Sequence, residues 1–111
     1  MTQHELAKAL ADIARDKKAI DIKVIKIDEL TVLADYFVIC SGSSSTHIKT
    51  IAEEMEFQLG QRGVQPRGIE GRSSGNWLLL DFGGVVAHVF LQETRAFYGL
   101  ERLWADGTII D

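Results

Sequence analysis

The sequence predicts a single α+β domain with a mixed β-sheet and helices mainly on one face of that sheet. Its length of 111 residues fits one domain. Helix-like and strand-like periodicities follow one another along the chain, without an internal repeat or a linker. The segment 77–91 contains two apolar runs around Gly83-Gly84. A Gly-Gly pair is a preferred two-residue connection of a β-hairpin.

The first part of the chain predicts a helix and then two strands. Thr2 and Glu5 have the spacing of a helix capping box, and apolar residues follow at helical intervals for about four turns. Residues 20–27 mostly alternate between apolar and charged, which predicts a strand with one solvent-facing side. Residues 36–40 are continuously apolar, which is typical of an interior strand covered on both faces.

The second part predicts a helix, a short extended segment, the hairpin and a last helix. An apolar stripe from Ile48 to Leu59 at helical spacing predicts a helix over 46–60, ended by Gly60 and Gly63. Residues 66–71 read as a short extended piece. Residues 95–104 predict a last short helix with Phe97, Leu100 and Trp104 on one side.

A loop formed by Gly83-Gly84 fixes the register of the hairpin. Asp81 then faces Val86, and Trp77 faces Phe90. Since strand side chains alternate between faces, one face is entirely apolar and is expected to face the core. That face carries Leu78, Leu80, Phe82, Val85, Ala87, Val89 and Leu91. The other face carries Trp77, Leu79, Asp81, Val86, His88 and Phe90.

The second face of the hairpin is the predicted partner-binding surface. It is too apolar for ordinary exposure and too polar for an ordinary core. Trp77 is either the rim of a core or an interface anchor, because binding energy concentrates in a few aromatic residues. If helices cover only one face of the sheet, this patch is open, and such patches usually contact a partner. His88 is interpreted either as part of this surface or as a structural histidine bonded to Asp81.

The turn after the apolar strand is either a helix cap or an anion-binding site. Its candidate residues are Gly42, Ser43, Ser44 and Ser45, where hydroxyls and backbone N–H groups converge at a helix start. The turn resembles the Gly-Ser turn of nucleotidyltransferase-type domains. Those enzymes need two neighbouring acidic residues on a following strand to hold Mg²⁺. Here Glu70 and Asp81 each stand alone, so a capping role is favoured. The alternative function is a nucleotide-binding or nucleotidyltransferase-type enzyme using residues 41–46.

No other pattern predicts catalysis, a metal or a cofactor. The three histidines are far apart, and the single cysteine, Cys40, lies in an apolar strand. A net charge of −4 weighs against binding nucleic acid through its phosphates and suits a basic protein partner. No apolar run is long enough for a membrane span, and the N-terminal residues lack a signal-peptide pattern. We therefore expect a soluble cytoplasmic protein.

Four blocks of residues, in order, resemble the ribosomal silencing factor family, also called Iojap or YbeB-like. The resemblance runs from about residue 20 to residue 104. The first two blocks are Asp35-Tyr36-Phe37-Val38-Ile39-Cys40-Ser41-Gly42 with Ser44-Ser45-x-His47 and Ile51-Ala52, and Pro66-x-Gly68-x-Glu70-Gly71. The last two are Trp77-x-x-x-Asp81-x-Gly83-x-Val85-Val86-x-His88-Val89-Phe90 and Arg95-x-x-Tyr98-x-Leu100-Glu101-x-Leu103-Trp104.

The resemblance implies a nucleotidyltransferase-like fold without catalytic carboxylates. It further implies a bacterial or organellar translation repressor, not an enzyme, that binds the large ribosomal subunit through ribosomal protein L-fourteen. The bound factor would block docking of the small subunit when nutrients are short, and the free protein would be a homodimer. By position, Trp77, Asp81, His88 and Phe90 fall on the second hairpin face. Arg95, Tyr98 and Glu101 match the last block, as contact residues or as scaffold.

Overall fold

The computed structural model describes residues 1–110, apart from the side chain of Leu103. Helices and strands alternate along the chain much as the sequence predicts. None of the helices in this described part is long and apolar enough to cross a membrane. The elements are α1 (Gln3–Asp16), β1 (Ile20–Lys26), β2 (Tyr36–Gly42), α2 (Ser45–Gln61), β3 (Gly68–Glu70), β4 (Trp77–Asp81), β5 (Val85–Leu91), α3 (Gln92–Tyr98), α4 (Leu100–Leu103) and β6 (Thr108–Ile109).

The strands form one six-stranded mixed sheet in the order β3-β4-β5-β2-β1-β6. β2 and β5 are parallel, and the other neighbouring pairs are antiparallel. β2 lies inside the sheet, as its continuous apolar sequence predicts. The α+β fold class with a mixed sheet is therefore confirmed.

The two long helices pack on the same face of the sheet. α1 begins with the predicted capping box, because the Thr2 hydroxyl accepts the Glu5 N–H at 3.0 Å and the Glu5 carboxylate accepts the Thr2 N–H at 2.8 Å. The apolar sides of both helices enter one core cluster with Leu78, Leu80 and other side chains of the sheet. Burial of the apolar side chains in this cluster is the main source of the stability of the fold.

The hairpin has the predicted register. Asp81 pairs with Val86, Leu79 with His88, and Trp77 with Phe90. The turn is closed by a hydrogen bond from the Phe82 N–H to the Val85 carbonyl at 2.9 Å. Gly83 adopts a φ of +91°, which a residue with a side chain rarely takes.

β1 differs from the expected strand with one wet side. The pairing with β2 shifts register between Ile20 and Lys23, and Asp21 has a φ of +50° in this bulge. Val24 and Ile25 then point to opposite faces of the sheet, and both are buried. The expectation is wrong at these residues because other elements cover both sides of β1 there.

The single helix predicted over residues 95–104 is wrong, because the structure has two short helices there, α3 and α4. Gly99, at a φ of +61°, ends α3 and precedes α4. This left-handed residue changes the chain direction, so Phe97 no longer shares a side with Leu100 and Trp104. Leu100 and Trp104 pack against the sheet, whereas Phe97 is 84% exposed.

Candidate docking surface

Trp77 stands at the start of β4 inside a cluster of aromatic rings. Its indole stacks on Phe90 with ring centroids 4.8 Å apart and lies 4.7 Å from the ring of Tyr98. Its Nε1 donates a hydrogen bond to Nδ1 of His88 at 3.2 Å. These contacts fix the orientation of Trp77, which remains half-buried with part of its indole accessible.

His88 is the buried support of the tryptophan. Burial lowers the pKa of His88 to about 4, so the imidazole is neutral near pH 7. A neutral ring that accepts at Nδ1 carries its proton on Nε2, and Nε2 has no hydrogen-bond partner among the described residues. The ring of Phe37 packs against His88 in an edge-to-face arrangement with centroids 4.7 Å apart. His88 is therefore a buried structural residue that holds the Trp77 indole in place.

The prediction that all six residues of the second hairpin face form an accessible surface is wrong for His88 and Phe90. Phe90 is 0% exposed and His88 is 4% exposed. Both are covered by side chains from distant parts of the sequence, among them Phe37 and Tyr98. Sequence periodicity assigned these residues to the correct face, but periodicity does not tell which elements cover that face.

Asp81 does not pair with His88. Its carboxylate accepts the Gly83 N–H at 2.8 Å and lies 3.3 Å from Nη2 of Arg67. Asp81 is thus a turn residue at the far end of β4. The expected Asp81–His88 bond is wrong because the Asp81 carboxylate bonds to the hairpin turn and to Arg67 in the segment before β3. The ring nitrogen of His88 that could donate to it, Nε2, has no partner among the described residues.

Val86 and Leu79 keep partial exposure on the same face. Val86 packs against the second core cluster, which contains Ile25, Ile39 and Phe90. Leu79 lines an open groove beside Trp77. Of the six predicted residues, Trp77 and Leu79 are therefore the ones that adjoin the groove.

Two aromatic residues of α3 complete the accessible surface. Tyr98 is 54% exposed and Phe97 is 84% exposed, and their rings meet edge to face at 5.4 Å. The helical pattern of residues 95–104 predicts Phe97 on a packed side, and it leaves the role of Tyr98 open. Gly99 was the available signal, because a glycine directly after a helical turn marks a C-terminus. We call Trp77, Leu79, Phe97 and Tyr98 the aromatic surface.

Two grooves run along the aromatic surface. One, of about 340 Å³, lies between the loop before β4 and Tyr98, and the other, of about 290 Å³, lies beside Phe97. Aromatic residues beside open grooves provide large contact area with few rotatable bonds, as interface anchors do. The first groove is lined by Glu70, Gly71, Ser74, Asn76, Trp77, Leu79 and Tyr98, and the second by Asn76, Glu93, Thr94, Phe97 and Tyr98.

The turn at 42–45 is tied down by hydrogen bonds within the protein. The Ser44 hydroxyl caps α2 by accepting the His47 N–H at 3.1 Å, and the Ser45 hydroxyl donates to the Gly75 carbonyl at 3.0 Å. The Ser43 N–H donates to Nδ1 of His47 at 3.0 Å. A Cβ on Gly42 would lie 2.6 Å from the Ile48 side chain. These contacts give the turn a capping role, and anion binding by it stays a prediction.

The other candidate reactive groups are engaged in structure. Burial raises the pKa of the Cys40 thiol to about 12, so it is protonated at neutral pH. Within residues 1–110, no group of three or more His, Cys, Asp or Glu side chains is arranged to hold a metal ion. Arg95 and Glu101, whose role the sequence left open, form a half-buried ion pair with Nε and Oε1 2.6 Å apart. Neither residue lines the grooves of the aromatic surface.

An α+β domain with a pre-oriented tryptophan, two exposed aromatic rings and open grooves has the surface features that are typical of macromolecule-binding domains. The family is shown by comparison with known proteins. The chain matches, over residues 1–111, the family model described as "Ribosomal silencing factor during starvation". The chain belongs to this family, whose name denotes a ribosome-associated regulator of translation.

Individual relatives agree with this assignment. The chain is 38% identical over 111 residues to the ribosomal silencing factor RsfS of Bacillus subtilis, covering 100% of this chain and 94% of the relative. It is 39% identical over 98 residues to the mouse protein named mitochondrial assembly of ribosomal large subunit protein 1, covering 86% of this chain and 43% of the relative. A crystal structure of a Chromobacterium violaceum protein superposes with a TM-score of 0.91 at 34% identity, covering 95% of this chain and 88% of that one.

Proposed function

We propose that this protein represses translation by binding the large ribosomal subunit through the aromatic surface. The partner is ribosomal protein L-fourteen, as the family resemblance implies, and the bound domain blocks joining of the small subunit when nutrients are limited. The repressor acts by steric exclusion, without catalysis, in the bacterial cytoplasm. The observation that carries the proposal is the accessible and pre-oriented edge of Trp77 beside Tyr98.

The chemistry of the aromatic surface supports a protein partner. The net charge of −4 disfavours a grip on RNA phosphates and favours a basic protein by electrostatic complementarity. The mouse relative's name refers to the ribosomal large subunit, which agrees with the side of the ribosome proposed here. An interface of ordinary size, about 800 Å² per partner, is enough for a domain that only has to exclude a competitor.

The fixed orientation of the Trp77 side chain before docking supports tight binding of the large subunit by a small surface. The Trp77 indole is held by the His88 hydrogen bond and by the Phe90 ring, so little rotamer freedom is lost on docking. Truncation of such an anchor costs about 2 kcal/mol or more. Trp77 is therefore the residue whose removal should weaken binding most.

The test is co-sedimentation with purified large subunits in sucrose gradients. We expect Trp77→Ala to lower the affinity at least tenfold, since about 1.4 kcal/mol corresponds to a factor of ten. Phe97→Ala, at a highly exposed ring, should weaken binding without changing the stability of the fold. Phe57→Ala is the matched control, because Phe57 is an exposed aromatic residue on α2, away from the aromatic surface.

A folded Trp77→Ala protein that sediments with large subunits as the unchanged protein does would contradict the docking site. Tight Mg²⁺-dependent nucleotide binding would instead favour the enzyme alternative at residues 41–46. The resemblance also implies a homodimer for the free protein. We expect sedimentation of the free protein to show a dimer that gives way to a one-to-one complex on the large subunit.

A further inference from the structure

A cavity separate from the two grooves of the aromatic surface lies at the carboxyl ends of the parallel strands β2 and β5. Its volume is about 340 Å³, and it contains Ser41 near the end of β2 and Gln92 directly after β5. Crevices outside the carboxyl ends of parallel strands are common ligand sites in open sheets. The cavity is lined by Asp21, Lys23, Ser41, Gln92, Arg95, Ala96 and Glu101.

Arg95 is a buried cation in this cavity with unused hydrogen-bonding capacity. Its side chain is 9% exposed, and its Nη1 donates to the Ser41 hydroxyl at 2.9 Å. Glu101 does not bind the guanidinium with both oxygens, because its Oε2 lies 2.9 Å from Nζ of Lys23. Nη2 of Arg95 therefore has no acceptor among the described residues. A buried guanidinium nitrogen without a partner is rare in proteins, and an acceptor supplied by a ligand would satisfy it.

Asp21 supplies a charge of the opposite sign on the same cavity wall. It is exposed, its φ is +50°, and its carboxylate has no ion pair or hydrogen bond within the described part of the chain. Aspartate is one of the few residues with a side chain that tolerates this positive φ, which the bulge in β1 requires. Glu101 is shared between two cations, Arg95 and Lys23, so this ion-paired group carries one positive charge in excess, and Asp21 adds one negative charge to the same wall.

We propose that this cavity binds a small zwitterion, a free α-amino acid. The ligand carboxylate accepts hydrogen bonds from Arg95 and Ser41, and its ammonium group pairs with Asp21. A guanidinium matches a carboxylate geometrically through parallel N–H donors. A multiply charged phosphate fits less well, because Asp21 and Glu101 on the same wall would repel it. Cavities of this volume are large enough for a small ligand.

Binding requires a small rearrangement of the cavity wall. Nη2 of Arg95 is covered, so a ligand oxygen reaches it only after a neighbouring side chain moves. Gln92, Arg95 and Ala96 all belong to α3, which makes this short helix the element that responds to the ligand. The proposal concerns binding in this cavity and does not depend on the docking function.

The first test is a calorimetric and NMR titration of the full chain with each of the twenty standard amino acids. We expect at least one to bind saturably and to shift the amide signals of Asp21, Ser41 and residues 92–96. Conversion of that amino acid to its amide, or acetylation of its amino group, should weaken binding at least tenfold. Absence of binding by all twenty, or unchanged affinity of the amide, overturns the proposal.

The second test uses a variant that keeps the fold. Asp21→Asn removes the charge while asparagine tolerates the same positive φ, so it should weaken binding at least tenfold. Asp106→Asn, at an exposed aspartate outside this cavity, should bind the amino acid like the unchanged protein. Equal affinity of both variants contradicts the zwitterion site, and competition by inorganic phosphate alone would indicate a simple anion site instead.

Discussion

The two faces of the β4–β5 hairpin share one backbone and one register, yet they are covered in different ways. On the first face, Leu80 and its neighbours are sealed by two long amphipathic helices. On the second, His88 and Phe90 are covered by single aromatic rings and by the short helices after β5, while Trp77 remains partly accessible. The first face therefore supplies stability, and the second leaves accessible aromatic area at its rim.

The largest expected effect contrasts neighbouring residues of β4. Leu80 is fully buried under the long helices, whereas Leu79 points to the groove beside Trp77. Leu80→Ala should lower the free energy of unfolding by about 2–5 kcal/mol, because it removes buried methyl groups and leaves a cavity. Leu79→Ala should lower the free energy of unfolding by clearly less, because Leu79 is only partly buried.

Urea unfolding followed by far-UV circular dichroism measures both changes. Leu79→Ala should also weaken binding to large subunits, which a folded variant can show. Equal losses of stability in the two variants would mean that the second face is as tightly covered as the first.

The next effect concerns the buried histidine of the second face. His88 has a pKa of about 4 in the folded protein, against about 6.5 for a solvent-exposed histidine in an unfolded chain. Between these values the unfolded chain binds more protons than the folded one, so stability falls as the pH falls from about 6.5 to about 4. From pH 7 to pH 5 this group should remove about 2 kcal/mol of stability.

The control is His88→Phe, which keeps a ring of similar shape and has no proton to gain. Its stability should depend less on pH over the same interval, and the difference between the two proteins isolates His88 from the carboxylates. The Trp77 fluorescence should also change, since the variant lacks the Nδ1 acceptor. Identical pH profiles for the two proteins would place His88 in contact with solvent.

The smallest effect tests the break between α3 and α4. Gly99 has a φ of +61°, and nothing lies within 4 Å of the position that a Cβ would take. Gly99→Ala should therefore cost only the backbone strain of a left-handed residue, about 1 kcal/mol. Thermal unfolding measures this cost. A stabilised Gly99→Ala protein would show that one continuous helix is preferred and that the exposed position of Phe97 is not fixed by the turn.

Much of the fold could be predicted from local patterns. The capping box at Thr2, the stripe of α2 and the Gly83-Gly84 hairpin each depend on residues close in sequence, and each has the predicted geometry. The errors fall where distant segments decide the outcome. β1 is covered on both sides by elements far along the chain, and Gly99 divides a segment whose composition alone favours one helix.

The candidate site was predicted in part for the same reason. Trp77 and Leu79 were found because side chains alternate along a strand. The sequence does not predict the role of Tyr98, and it predicts a packed side for Phe97 that is wrong, since the exposure of both rings depends on how α3 leaves the sheet after β5. The pairing of His88 with Trp77 instead of Asp81 depends on side-chain directions across two strands, which register alone does not fix.

The sequence by itself determined the register of the hairpin, the ends of the long helices and the division of β4 and β5 into two faces. These features arise from backbone geometry with periods of 2.0 and 3.6 residues, so short segments carry enough information. Only the tertiary structure decided which side chains of the second face are covered. That outcome depends on contacts with the rings of Phe37, Tyr98 and Trp104, which lie on separate elements. Burial is therefore a property of the whole packed chain.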